Sequence, residues 1–153
     1  KFGDLQRVLV AAALREGLPL NLVIEAPLSI AFAPNGNPAG RSIEKRGKQH
    51  RYWHAGLGTT VLLSAMHLLR AVVDARPQRE IRLFEGFVSY KPKGKSSHCE
   101  DVRQLRDVAF GRSTSGRIVW PDELRLGPDD HVHSAFAVAG MDLGVPPVLL
   151  IAG

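Results

Sequence analysis

Glu25 closes the most strand-like run of the chain, Leu22-Val23-Ile24-Glu25-Ala26-Pro27-Leu28. Three apolar residues lead into it, and Pro27 ends any regular ladder two residues later. An ionised carboxylate in a core is costly unless a cation or strong donors meet it. A Glu at the end of a core strand, beside a long loop, is therefore a candidate metal ligand or acid/base group. The plain alternative is a Glu turned to solvent at a strand end.

Asp129-Asp130-His131-Val132-His133-Ser134 is a second candidate. Two carboxylates and two imidazoles fall in what the pattern predicts to be the first turns of a helix opened by Pro128 and Asp129. Asp130, His133 and Ser134 are three and four apart, so a helix would set them on neighbouring rows facing one pocket. Acidic residues also suit a helix N-terminus electrostatically, and the histidines would then be surface residues. Glu85 is the third candidate, in Leu83-Phe84-Glu85-Gly86-Phe87. Strand alternation favours turning it outward, while Gly86 lets another backbone come close.

The basic residues gather in two segments. Arg41, Lys45, Arg46, Lys48, His50 and Arg51 lie behind Glu25, with Tyr52 and Trp53 following. Lys91, Lys93 and Lys95 follow the run that carries Glu85. Both segments leave the carboxyl ends of predicted strands, where open α/β sheets place ligands. Lys and Arg on phosphates, with an aromatic for stacking, suit nucleic acid; a solvated run of charge is the plain alternative. The net charge of +5 leans toward polyanions.

Other chemistries lack their residues. Gly94-Lys95-Ser96 ends like a phosphate loop, but Ser89 stands where the motif needs Gly. His98 and Cys99 are adjacent, no CxxC exists, and no GxSxG elbow is present. The single cysteine, Cys99, excludes an internal disulfide and points to a reducing, cytoplasmic compartment. No apolar run approaches the ~20 residues needed to cross a bilayer, so no membrane association is expected.

These groups need a scaffold, and 153 residues with 44% hydrophobic content are enough for one α/β domain over residues 1–153. Leu5, Val8, Leu9, Ala12 and Ala13 recur at helical spacing after Asp4, and Gly17 stops the helix. Leu20–Ala26 reads as a buried strand. Residues 28–51 read as mostly irregular, with a turn at Asn35-Gly36-Asn37-Pro38. A long helix over Tyr52–Ala75, a strand over Glu80–Tyr90 and a helix from the Ser97/Glu100 capping box to Phe110 follow. Ile118–Trp120 reads as extended. Val132, Ala135, Phe136 and Ala139 predict a last helix, and Val148–Ala152 a strand or packed tail.

Two stretches together resemble the RNase H-like superfamily, and more narrowly RuvC-type resolvases and the bacterial RNase H-like nucleases. In those families a strand ends in a carboxylate, often within (D/E)-A-P-L, and Ile24-Glu25-Ala26-Pro27-Leu28 matches that stretch. A later helix carries an acidic or His residue, then Asp, then small apolar residues; the counterpart runs from Asp130 through His131 to Ala139. Ser134 falls where many relatives have Asp, or His133 with a shift of one. The resemblance covers residues 4–140.

It implies an RNase H-like three-layer α/β fold. The family's first Asp lies on a β-hairpin before the first helix, and this chain opens at that helix, so the expected fold is truncated at its N-terminus. It implies Mg²⁺ or Mn²⁺ held by carboxylates, with Glu25 as the middle ligand and Asp130 or His131 as a last-helix ligand or base. The expected function is metal-dependent cleavage of nucleic-acid phosphodiesters. The alternative is a catalytically incomplete module that holds nucleic acid or a partner through Arg41, Lys45, Arg46, Lys48, Arg51, Lys91, Lys93 and Lys95. A third reading is a small-molecule phosphate enzyme using the Lys91–Ser97 turn at a helix N-terminus. Without its hairpin the sheet would keep an exposed edge, which an upstream segment or a homo-oligomer would cover.

Overall fold

Strands buried on both faces read as continuous apolar runs, and three such runs in this chain become parallel neighbours. The computed structural model describes residues 1–53, 55–89, 97–113 and 115–152. Its elements are α1 (Phe2–Leu14), β1 (Leu20–Ile24), β2 (Ser29–Phe32), β3 (Pro38–Ala39), β4 (Lys45–Arg46), β5 (Gln49–His50), α2 (Leu57–Asp74), β6 (Ile81–Ser89), α3 (His98–Ala109), β7 (Gly116–Val119), β8 (His131–Ser134) and β9 (Val148–Ala152). The fold is mixed α/β. The larger sheet has the order β1-β6-β9-β7, with β1, β6 and β9 parallel and β7 antiparallel to β9.

Alternation along the strands sends side chains to two separate cores. Leu22, Ile24 and Leu83 face α2, where Ala65 and Leu69 meet them together with Leu28, Phe136 and Met141. Val23, Phe84 and Val88 face the opposite way, against Leu105 and Val108 of α3. Gly86 lies on that second face, and a Cβ there would stand 2.8 Å from Leu105 Cδ1. The missing side chain is what lets α3 approach the sheet so closely. Ser97 caps α3 as its sequence predicts, its Oγ accepting the Glu100 N–H at 3.3 Å.

α2 has 18 residues and a mean hydropathy of 1.3, long and apolar enough to cross a membrane by those measures alone. In this fold α2 lies against α1 and the sheet, burying Ala65, Leu69 and Val72.

Two expectations are corrected. Residues 28–51 are not irregular: β2 pairs with β3 through the Asn35–Gly36 turn, and β4 pairs with β5. The Asn35 side chain accepts the Asn37 N–H at 3.0 Å, and the Ala33 N–H reaches Asn37 O at 2.9 Å, closing that first hairpin. The last predicted helix is a strand. β8 runs antiparallel to β2, with Ser29 opposite Ser134 and Phe32 opposite His131. Val132, Ala135, Phe136 and Ala139 mimic helical spacing, but His131-Val132-His133-Ser134 alternates between exposed and covered positions with the period of a strand. Asp130 closes a turn rather than capping a helix, its Oδ2 accepting the Gly127 N–H at 2.8 Å.

Candidate functional site

Glu85 shares a sheet face with Leu83 and Phe87, and the segment after Pro27 folds across that face. Glu85, Glu44 and Arg41 are consequently sealed, at 0%, 0% and 1% exposure. The outward-facing Glu85 favoured by strand alternation is corrected: the sheet face that alternation would give to solvent is covered. Glu85 Oε2 accepts the Leu28 N–H at 2.8 Å and Arg41 Nη1 at 2.7 Å. The same Nη1 donates to Ser29 Oγ at 2.8 Å. Arg41 Nε and Nη2 donate to Glu44 Oε1 at 3.1 and 2.8 Å, and the Arg41 N–H donates to Glu44 Oε2 at 3.2 Å.

One guanidinium therefore bridges two carboxylates from separate segments in the buried interior. Such charges are tolerated only when paired and well hydrogen-bonded. Burial pushes the Glu85 carboxyl above its ordinary value, against the opposing pull of Arg41 and the Leu28 N–H. Burial also works against the charge on Arg41, and the two carboxylates more than offset it, so the guanidinium stays protonated. Among the described residues, Glu85 Oε1 is buried with no hydrogen-bond donor.

The network anchors a basic hairpin. Glu44 ends a 3-10 turn over Ser42–Glu44 and directly precedes β4. β4 and β5 pair Lys45 with His50 and Arg46 with Gln49 across Gly47, whose φ of 59° needs a glycine. The Arg51 N–H then returns to Glu44 O at 2.8 Å. Both ends of the hairpin thus meet at one residue whose side chain is locked to Arg41. The His50 ring sits over Gly40, where a Cβ would lie 1.7 Å from Nε2. It also stacks on Tyr52, with centroids 4.3 Å apart and a 30° tilt. Lys45, Arg46, Lys48 and Arg51 are all exposed.

The structure distributes the other expected site residues differently. Glu25 follows the last residue of β1 and is half-buried. It lines two shallow apolar cavities of about 340 and 390 Å³, one toward α3 and one toward α1 and α2. Asp130 is buried in the turn before β8, and His131 is exposed opposite Phe32, the last residue of β2. Glu25 precedes the other end of β2, so the β2–β8 register holds Glu25 and His131 at opposite ends of that ladder. Among the described residues, no group of three or more His, Cys, Asp or Glu converges to hold a metal ion.

Arg41 is corrected as a nucleic-acid contact, because it is buried in the interior, where it donates to Glu44, Glu85 and Ser29. Lys91, Lys93 and Lys95, and with them the phosphate turn up to Ser96, lie outside the described residues. Sequence reasoning missed Ser29 and Glu44. The Arg41/Glu44 spacing of three was the available signal for Glu44, and nothing local marks Ser29.

Searches of protein-family models, curated proteins and solved structures return no significant match to this chain.

Proposed function

We propose that this protein is a nucleic-acid-binding α/β module that grips the sugar–phosphate backbone through the β4–β5 hairpin. The observation that carries the reading is the clustering of Lys45, Arg46, Lys48 and Arg51 on one exposed hairpin pinned at its base by Glu44. Cations on a pre-ordered backbone lose less entropy on binding than cations on a mobile loop. Phosphate contacts supply most sequence-independent affinity, and the Tyr52 ring adds a flat face beside them. We also propose that the scaffold is RNase H-like and catalytically incomplete. The parallel β1, β6 and β9 between α2 and α3 support this, as does the carboxylate at the tip of β1.

A second reading, Mg²⁺- or Mn²⁺-dependent phosphodiester cleavage, is favoured by one observation. Glu25 stands at the carboxyl end of a strand in a parallel sheet, where such folds bind ligands.

Fluorescence anisotropy with labelled DNA and RNA oligonucleotides, across a salt series, tests the first reading. Affinity should fall with salt, and the Lys45→Ala/Lys48→Ala pair should lower the log–log slope by about 0.7–0.9 for each phosphate the hairpin no longer neutralises. Absence of binding at low salt, or affinity indifferent to the pair, would refute it. The same oligonucleotides incubated with Mn²⁺ test the second reading: cleavage abolished by Glu25→Gln would displace the incomplete module.

A further inference from the structure

The strand that replaces the expected last helix changes which side chains meet. On a helix of 3.6 residues per turn, His131 and His133 would point about 200° apart. On β8 they are two positions apart and share one face. The opposite face carries Val132, packed against the cluster of Phe87 and Val119, and Ser134, which is buried. β2 sorts its residues the same way. Ser29 and Ala31 are buried, while Ile30 and Phe32, opposite His133 and His131, lie on the outer face. Both imidazoles are thus delivered to solvent side by side. Their ring centroids are 6.4 Å apart, with 46° between the planes.

Two features set this pair apart. Phe32 stands edge-on to the His133 ring, with centroids 5.6 Å apart at 66°, a favoured aromatic geometry that limits where that ring can turn. Among the described residues, no hydrogen bond occupies a ring nitrogen of His131 or His133. His50 and His67 lie instead against the rings of Tyr52 and Phe2.

Imidazole suits zinc, copper and nickel ions, whereas magnesium, calcium and manganese favour oxygen ligands. We propose that His131 and His133 chelate one divalent ion of the zinc, nickel or copper kind on the outer face of β8. Donor distances of about 2.0–2.1 Å are reached by turning two exposed side chains, with the strand left in place. The second ring binds as an intramolecular ligand, which lifts the pair above an isolated surface histidine. Two protein ligands leave the remaining positions to water or to a group on another molecule, as in an open site. The site is separate from both earlier readings. It uses nitrogen rather than carboxylate ligands, includes neither Glu25 nor Asp130, and takes nothing from the β4–β5 hairpin.

Isothermal titration of the whole chain with Zn²⁺ or Ni²⁺ alone, and NMR of the imidazole Cε1–H signals under substoichiometric Cu²⁺, test the proposal. One ion should bind per chain, and the His131 and His133 signals should broaden before those of His50, His67 and His98. Excess Mg²⁺ should not displace the ion. His131→Asn and His133→Asn should each lower the affinity by about a hundredfold, since a single donor remains. His67→Asn and His98→Asn should leave it unchanged, with circular dichroism reporting the fold of every variant. If His133→Asn loosens the strand through its contact with Phe32, His131→Asn carries the comparison. Affinity that survives His131→Asn overturns the proposal. So does broadening shared evenly among the histidines, displacement of the ion by Mg²⁺, or no binding of any of the three ions.

Discussion

Replacing Arg41 by Ala removes the cation that bridges Glu44 and Glu85, and both carboxylates are fully buried. Breaking a buried pair by deleting one partner costs about 3–5 kcal/mol, because the remaining charge is left desolvated. With a urea dependence of about 2 kcal/mol per molar for a chain of this size, the unfolding midpoint should fall by about 2 M. The loss should also depend on pH. Without the Arg41 guanidinium, burial acts on the Glu85 carboxyl with less opposition, so this group binds a proton more tightly folded than unfolded. Its folded pKa then lies further above the unfolded one, so the variant is least penalised in acid and loses stability as pH rises through it. Urea unfolding followed by circular dichroism, at acidic and neutral pH, measures both effects. An all-neutral combination, Arg41→Met with Glu44→Gln and Glu85→Gln, should recover most of the loss, since no unpaired charge remains. A cost for Arg41→Ala below about 1 kcal/mol, the value of an exposed pair, would refute the anchoring argument. An equal cost at both pH values would refute its electrostatic origin.

Two further outcomes follow from the same interior. Burial holds the Glu85 carboxyl above its ordinary value. In the wild-type protein its contribution to stability is therefore complete below the unfolded carboxyl pKa of about 4.3 and is lost as pH rises through the higher folded value. Glu85→Gln keeps an acceptor for Arg41 and the Leu28 N–H, so it should flatten that pH dependence; superimposable stability–pH curves for the two proteins would count against it. Gly58→Ala puts a Cβ 2.1 Å from the Trp53 carbonyl oxygen, a backbone atom that cannot swing aside. The clash should cost about 1–3 kcal/mol, outweighing what Ala gains over Gly in the first turn of a helix, which is less than the roughly 1 kcal/mol of a helix interior. A thermal melt of this variant at or above the wild-type midpoint would show that the helix start is looser than its geometry.

Periodicity made much of the scaffold legible. The apolar spacing of α1, α2 and α3, the Ser97 cap, and the runs that became β1, β6 and β9 were all readable within windows of about a dozen residues. β8 was not, because Val132, Ala135, Phe136 and Ala139 fit a helix while His131–Ser134 alternates as a strand. The choice between them went to β2, which offers β8 a ladder from Ser29 to Phe32. The short strands of residues 28–51 were hidden for the same reason: two-residue strands such as β4 and β5 are too brief to show a period.

Charge followed a similar division. The sequence alone determined that Glu25, Glu44, Glu85 and Arg41 exist, that the 45–51 segment is strongly basic, and that an apolar chain of this length builds an α/β core. Only the tertiary structure decided which of those charges meets water. Arg41 and Glu85 are 44 positions apart, and no local pattern relates them. Their pairing exists because the segment after Pro27 crosses the sheet face that strand alternation would otherwise give to solvent. Burial is a property of what folds over a residue, and for Arg41, Glu85 and Asp130 the covering or contacting segment lies elsewhere along the chain or turns back locally. Glu25, by contrast, stands where its own strand left it, at the tip of an edge with apolar cavities on either side.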